Sequence, residues 1–282
     1  MHLFNFHTHT SYCDGNSEPE AYVKQAIAMG FQSLGFSGHA PIPLENGFAI
    51  KEDELHTYCD EIRKLSEQYK NQIPIYLALE IDYIPGFTKD FKDFNESCNL
   101  DYTIGSVHLV VNPENKQLWF IDGGKTATYD NGLQQIFNGD IQTAVKTYYH
   151  QVNQMIITQK PDIIGHLDKI KMNNQNRFFR QDEIWYKNLI NECIAIIKEQ
   201  GCIVEVNTRG LYKKRSDELF PGISILKELY RLKIPVTISA DAHKAEELAL
   251  LFQETACLLK EIGFKAVMVF KEGGWVEEAI MI

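Results

Sequence analysis

With 282 residues and 44% hydrophobic content, the chain suits one large domain or two small ones, and α/β barrels of this size run as a single domain. A net charge of -10 argues against a general attraction to nucleic acid or anionic membrane, while leaving room for a local basic pocket. No apolar run approaches the ~20 residues that span a bilayer. The six cysteines form no Cys-x-x-Cys and no signal peptide is read at the start, so reduced thiols and a cytoplasmic location are expected.

Short apolar runs alternate with amphipathic stretches, the pattern of an α/β fold. Leu3, Phe4 and Phe6 lead a first strand into His7-Thr8-His9. Residues two apart share a strand face, so both imidazoles aim at one spot, and Asp14-Gly15 follows within a short turn. A helix opens at Ser17-Glu18-Pro19-Glu20, with Ser17 as its cap and Gly30 as its stop. A second strand over Ser33 to Ser37 ends at Gly38-His39, and Pro41 to Gly47 reads as a loop. Leu55, Cys59, Ile62, Leu65 and Tyr69 then step at helical spacing. A third strand, Ile75 to Leu79, ends at Glu80. After a helix near Lys89 to Cys98, a fourth strand, Tyr102 to Val107, ends at His108.

From Val111 to Asp140 the pattern breaks at Asn112-Pro113, Asp122-Gly123-Gly124, Asn131-Gly132 and Asn138-Gly139. Only Leu118 to Ile121 looks like strand. An irregular insertion directly after a site-forming strand reads as a lid over a pocket. A helix over Ile141 to Gln159 leads to a fifth strand, Asp162 to Gly165, ending at His166. Next come a helix over Asp182 to Gln200, a sixth strand over Ile203 to Asn207 and a helix over Ile223 to Leu232. A seventh strand, Pro235 to Ser239, ends at Asp241-Ala242-His243. A helix over Lys244 to Ile262 and a short strand over Ala266 to Phe270 complete the series.

Six of these seven strands end in a residue that can bind metal: His7 and His9, His39, Glu80, His108, His166, and Asp241 with His243. In a closed β/α barrel those ends open onto one face, where active sites form. With Asp14 the candidates number nine, too many for one ion, so two or three divalent metals are implied, with Glu80 as the natural bridge. Imidazole and carboxylate donors suit Zn, Mn or Fe. A structural zinc site would need only four ligands. His2, His56 and His150 are assigned to surface or packing, and Cys13 to a bystander role. The sixth strand ends in Asn207-Thr208-Arg209, which sets a phosphate-reading guanidinium at the pocket mouth, and Lys169, Lys171 and Arg177 follow His166.

The order His7-x-His9, Asp14, Gly38-His39, Glu80, His108, Gly165-His166, Asp241-x-His243 resembles the polymerase and histidinol phosphatase (PHP) superfamily of metallophosphoesterases, and within it the histidinol-phosphatase type. The resemblance implies a distorted seven-stranded (β/α)7 barrel, taken here as one domain over 1–282, with a trinuclear centre. One ion would lie among His7, His9, Glu80 and Asp241, a second among Asp14, His39 and His243, and a third among Glu80, His108 and His166. It further implies a basic residue after the fifth-strand histidine, for which Lys171 is chosen, and another after the sixth strand, Arg209.

The expected reaction is hydrolysis of a small phosphomonoester, with L-histidinol phosphate as the chosen substrate. A metal-activated hydroxide is the nucleophile. Arg209 stabilises the phosphoryl charge, and Asp14 or His243, or a water they hold, protonates the leaving oxygen. Asp82, Glu45 and the 111–140 insertion are candidates to reach the alcohol. No nucleic-acid or membrane partner is expected. Alternatives are a PHP phosphoesterase for another small ester and a metal-binding module without activity. An amidohydrolase-type barrel fits less well, because the middle strands end in Glu80 and His108 and the late motif is Asp-x-His.

Overall fold

The computed structural model describes residues 2–281, so the first and last residues of the expected 1–282 domain lie outside the described residues. The strands are β1 (Leu3–Asn5), β2 (Phe31–His39), β3 (Ile75–Asp82), β4 (Tyr102–Ser106), β5 (Leu109–Val111), β6 (Leu118–Phe120), β7 (Ile163–Ile164), β8 (Ile203–Asn207), β9 (Val236–Ser239), β10 (Ala266–Lys271) and β11 (Gly274–Ala279). Seven of them form one parallel sheet in the order β1-β2-β3-β4-β7-β8-β9. β2, β3, β4, β8 and β9 are buried almost along their full length, as expected when helices cover a parallel sheet.

The sheet closes on itself just past the end of β1. Thr8 bridges Ala242 in parallel register, His9 N donates to Ala242 O (2.9 Å) and Ala242 N donates to His7 O (3.1 Å). The fold is therefore the expected seven-stranded (β/α)7 barrel. Its helices follow simple sequence rules. Leu55, Cys59, Ile62, Leu65 and Tyr69 are all buried on the helix Leu55–Tyr69, and Ile190, Ile194 and Ile197 on the helix Ile184–Gln200. No described helix is long and apolar enough to cross a membrane.

Four expectations need correction. Ser17 is not a helix cap: the helix Pro19–Ala28 has Glu18 at that position, without a side-chain cap bond. The 111–140 insertion is not irregular. Its β6 pairs with β5, and a helix runs from Thr126 to Phe137. Asn131-Gly132 looked like a turn, but it lies inside that helix. Gly132 is there because a Cβ would sit 2.2 Å from Trp119 Cδ1, so only glycine lets the indole pack this close. The segment 244–262 is not one helix: a 3-10 turn (Ala245–Glu247) precedes the helix Phe252–Ile262, and Leu251 between them takes φ 64°. Last, the terminal strand is half of a hairpin, β10 pairing with β11.

That hairpin stacks its aromatics under the barrel. Trp275 meets Phe6, Tyr102 and Phe270 edge-on at 5.4, 5.5 and 5.2 Å between centroids. Tyr76 and Tyr102, at the starts of β3 and β4, contact Phe270 as well. The strand starts are thus sealed by apolar packing, and the strand ends remain open.

Candidate metal centre

The strand ends hold the ionisable side chains. His7 and His9 flank the bridging Thr8 and point to the same face, with rings 5.0 Å apart. In the β2–β3 ladder His39 pairs with Glu80, which puts these two ligands side by side. Asp14 reaches the cluster through a tight turn: Gly15 N and Cys13 N both donate to Thr10 O. A Cβ on Gly15 would lie 2.4 Å from the His9 carbonyl, so this return needs glycine. At the other end of the chain Asp241 takes φ 50°, a strained conformation for a residue with a side chain.

Glu80 is the hub. Its Oε2 lies 3.1 Å from His7 Nε2, 3.4 Å from His9 Nε2 and 3.1 Å from His39 Nδ1. Its Oε1 faces the other way, 2.9 Å from His166 Nε2 and 3.7 Å from His108 Nε2. Asp241 Oδ1 lies 3.3 Å from His9 Nε2 and 3.4 Å from His243 Nδ1. Asp14 lies 3.6 Å from His9, 3.8 Å from His39 and 3.1 Å from His243. All nine expected ligands are therefore gathered in one place.

Three sets of donors are close enough to share an ion: His9, Asp14, His39 and His243; His7, His9 and Asp241; and His39, Glu80 and His108. The fit to metal rests on a mismatch. His7 Nε2, His9 Nε2, His39 Nδ1 and Asp14 Oδ1 are buried without a hydrogen-bond partner, although carboxylate or imidazole atoms lie near them. Donors around a tetrahedral ion with bonds of about 2.0–2.2 Å sit about 3.3–3.6 Å apart. Buried groups crowded to 3.1–3.8 Å, around those separations, yet misaligned for bonding one another, match a coordination shell.

The side chains behind the ligands are equally specific. Glu205, in the middle of β8, is hydrogen-bonded to His7 Nδ1 and Ser239 Oγ, and accepts from His166 N (2.7 Å). That bond leaves His7 Nε2 facing the cluster. Asp82 accepts from His108 N (2.8 Å) and pairs with His108 Nδ1 at 3.0 Å, which turns Nε2 inward. Carboxylates behind metal-binding histidines fix tautomer and orientation. Sequence reading missed Glu205. The signal was a glutamate inside Ile203-Val204-Glu205-Val206, a charge in an otherwise apolar strand. Asp82 is not a substrate-reaching group as expected, because both its oxygens are engaged by His108. Glu45 is exposed on its loop and does not line the cavity.

Without cations the cluster divides: against burial, Glu205, Glu80 and Asp241 hold His7 above its ordinary value, and Asp82 and Glu80 push His108 up to about 9, so these two imidazoles must shed a proton to become ligands. Burial, reinforced by neighbouring His243 and His39, pushes the His9 imidazole down to about 3, so it is neutral and offers a lone pair. Burial alone would raise the Glu80 carboxyl, but His7, His39 and His108 outweigh it and hold Glu80 well below its usual range. Asp241 is held low in the same way, against burial, by His7 and Arg209.

A cavity of about 280 Å³ opens over the cluster, lined by ligands, Phe48, Phe120, Asp122, Gly124 and the cations Lys169, Arg209 and Arg215. Two expected phosphate residues are thus in position, and two are not. Arg209 Nη1 donates to Asp241 O (2.9 Å). Lys169 Nζ lies 3.0 Å from Asp122 and 3.9 Å from Asp241. Burial opposes the Lys169 charge, but Asp122 and Asp241 prevail and hold its pKa above the ordinary value. Lys171 instead turns away to Asp168 (2.7 Å), Glu218 (3.1 Å) and Leu219 O (3.1 Å). Arg177 pairs with Asp130 on the surface. Arg215 was missed; it donates to Gly123 O at 2.9 Å and so faces the cavity. Cys13 Sγ lies 3.6 Å from His9 Nδ1, beside the cluster. His56 and His150 are exposed, and His2 pairs with Glu278.

The sequence model of the PHP domain family matches residues 5–209. A histidinol-phosphatase of Bacillus subtilis is 25% identical over 88% of this chain and 96% of that protein. Among solved structures, a Listeria monocytogenes protein matches with a TM-score of 0.76 at 20% identity, over 89% of this chain and 99% of that one. The Lactococcus lactis histidinol phosphate phosphatase, solved with zinc, L-histidinol and phosphate, matches with a TM-score of 0.67 at 20% identity, over 97% and 98%.

Proposed function

The chain belongs to the PHP domain family, and on that premise we propose that it is a metal-dependent phosphomonoesterase whose substrate is L-histidinol phosphate. The observation that carries the reaction class is a cluster of nine metal-competent side chains, His166 joining it through Glu80, beneath a small cavity that Lys169, Arg209 and Arg215 also line. The choice of alcohol is supported by relatives that are histidinol-phosphatases over nearly their whole length. The free cysteines are in keeping with a cytoplasmic enzyme.

In this reading the chain's residues divide the work. Two or three divalent ions, zinc, manganese or iron, would supply Lewis acidity and a hydroxide nucleophile, since coordination lowers the pKa of water to about 7. Glu80, with one oxygen toward His7 and His39 and the other toward His166, would offer a donor on each side of the cluster. Arg209, Lys169 and Arg215 hold the phosphoryl oxygens and stabilise the charge that grows on them, because preorganised cations act strongly in a partly dehydrated cavity. Asp14 or His243, 3.1 Å apart on the cavity wall, or a water that they hold, would deliver the proton that the leaving alkoxide takes. No protein nucleophile is required.

A panel of phosphate esters assayed with the metal-loaded protein tests the proposal. Histidinol phosphate should give the highest kcat/KM. A value no better than that of a generic aryl phosphate would end the claim to this substrate, and no turnover of any ester would end the phosphatase reading.

A further inference from the structure

Of the carboxylates that line the cavity, Asp14, Glu80 and Asp241 are expected metal ligands and Asp122 is not. Asp122 comes from the insertion, just past the end of β6. Its Oδ2 lies 3.0 Å from Lys169 Nζ. Its Oδ1 lies 3.6 Å from Arg215 Nη2 and is buried without a hydrogen-bond partner. The backbone on either side is pinned. Ile121 N donates to His108 O (3.0 Å), and Asn173 Nδ2 donates to Ile121 O (2.9 Å) and Gly123 O (3.2 Å). Arg215 adds a second bond to Gly123 O. The chain thus holds this carboxylate over the cavity, facing two of the three cations assigned to the phosphoryl group.

A carboxylate and a phosphoryl group offer a lysine or an arginine the same thing, anionic oxygens that accept charge-assisted hydrogen bonds. Lys169 is buried, and a buried ammonium needs an anion beside it. Asp122 supplies one between turnovers. A bound phosphoryl group would supply another to the same atoms. We infer that Asp122 is an internal competitor for the phosphoryl group, holding Lys169 and Arg215 between turnovers and taking them back as phosphate leaves. The inference rests on the phosphomonoesterase reading above and assigns a residue to its last step, product release. Phosphate carries the same oxygens as the ester, so whatever holds the ester also holds the product, and release limits the turnover of many enzymes. A fixed carboxylate that shares two of the three cations weakens the hold on product. Arg209 Nη1 is directed to Asp241 O instead, outside this competition. Asp122 acts through Lys169 and Arg215 and is a positioning residue, not a catalytic one.

Inorganic phosphate is the probe, titrated calorimetrically into the metal-loaded protein, so binding is read without turnover. The variants are Asp122→Asn, which keeps the shape of the side chain, and Asp122→Ala. Both should bind phosphate about tenfold more tightly than the wild type, the size expected of one charge at this range in a partly hydrated site. Ki for phosphate and KM for an ester should fall together, because ester and product share these cations. Phosphate should also raise the melting temperature of Asp122→Asn more than that of the wild type, since it supplies the anion that Lys169 has lost. A merely structural role predicts the opposite sign, weaker phosphate binding as Lys169 and Arg215 lose their anchor. Unchanged or weaker binding in Asp122→Asn would therefore overturn the inference. Loss of metal from that variant would overturn it too, by making Asp122, 3.9 Å from His108 Nε2, a ligand. Tighter phosphate binding in the variants of a protein that hydrolyses no ester would strike the phosphatase reading alone. Ester turnover with phosphate affinity unaltered by the substitutions would strike this inference alone.

Discussion

The two ends of the barrel solve opposite problems. Beneath the strand starts, Trp275, Phe270 and Tyr102 pack together, joined edge to face by the Phe6 ring from just past β1, and the contacts need only shape and apolar area. At the strand ends, His7, His9, Glu80, Asp241 and their neighbours are buried although most of them carry or share charge. An apolar plug is stable by itself. A buried group of carboxylates and unbonded imidazoles becomes favourable only with cations between them. One end therefore holds the fold together, and the other asks for a cofactor.

Removing the metals should separate the ends most sharply. Chelation should lower phosphatase activity by about a thousandfold or more, and Mn, Zn or Fe should restore it. Hydrogen exchange should rise at 7–9 and 241–243 and stay unchanged at 266–279. Full activity after complete metal removal would break the comparison. Next, Glu205→Gln should weaken metal binding about 10- to 100-fold, since it loosens the histidine it orients; metal content equal to wild type under limiting metal would show that Glu205 does not govern the centre. Arg209→Ala should raise KM for phosphomonoesters about tenfold with metal content intact, and metal loss would mean that Arg209 supports the ligands instead. Lys171→Ala should leave KM alone but destabilise by about 3 kcal/mol, because it strands buried Asp168; a rise in KM would return Lys171 to the site. The smallest effect on activity belongs to Trp275→Ala. It should lower stability by about 3 kcal/mol in a denaturant titration while the folded protein keeps its metals and its KM; loss of metal would show that the two ends are coupled.

The candidate ligands were legible because they are chemically distinctive and stand where apolar runs stop. The α/β class followed from the alternation of apolar runs with amphipathic stretches, whereas the seven-stranded barrel came with the family resemblance. What stayed hidden depended on side-chain direction. Lys169 and Lys171 are two apart, and their backbone courses decide that one meets Asp122 and the other Asp168. Arg215 enters the cavity from a turn whose path no local pattern reveals. Glu205 and Asp82 are first of all partners of histidines that come from other strands. The helix Thr126–Phe137 was masked by an Asn-Gly pair that serves close packing against Trp119 rather than a turn. Glu247, on the 3-10 turn that precedes Leu251, accepts from His243 N (3.0 Å) and Lys213 Nζ (3.0 Å).

The Thr8–Ala242 seam has a consequence for how the protein comes into being. Asp241 and His243 are made more than two hundred residues after His7 and His9. Contacts this far apart in sequence form late, after most loop-closure entropy has been spent. A nascent chain still missing β9 can bury much of its core but offers only a partial coordination shell. Full metal uptake therefore waits for β9 and the residues just after it, and an enzyme built this way stays inert on the ribosome until they have emerged.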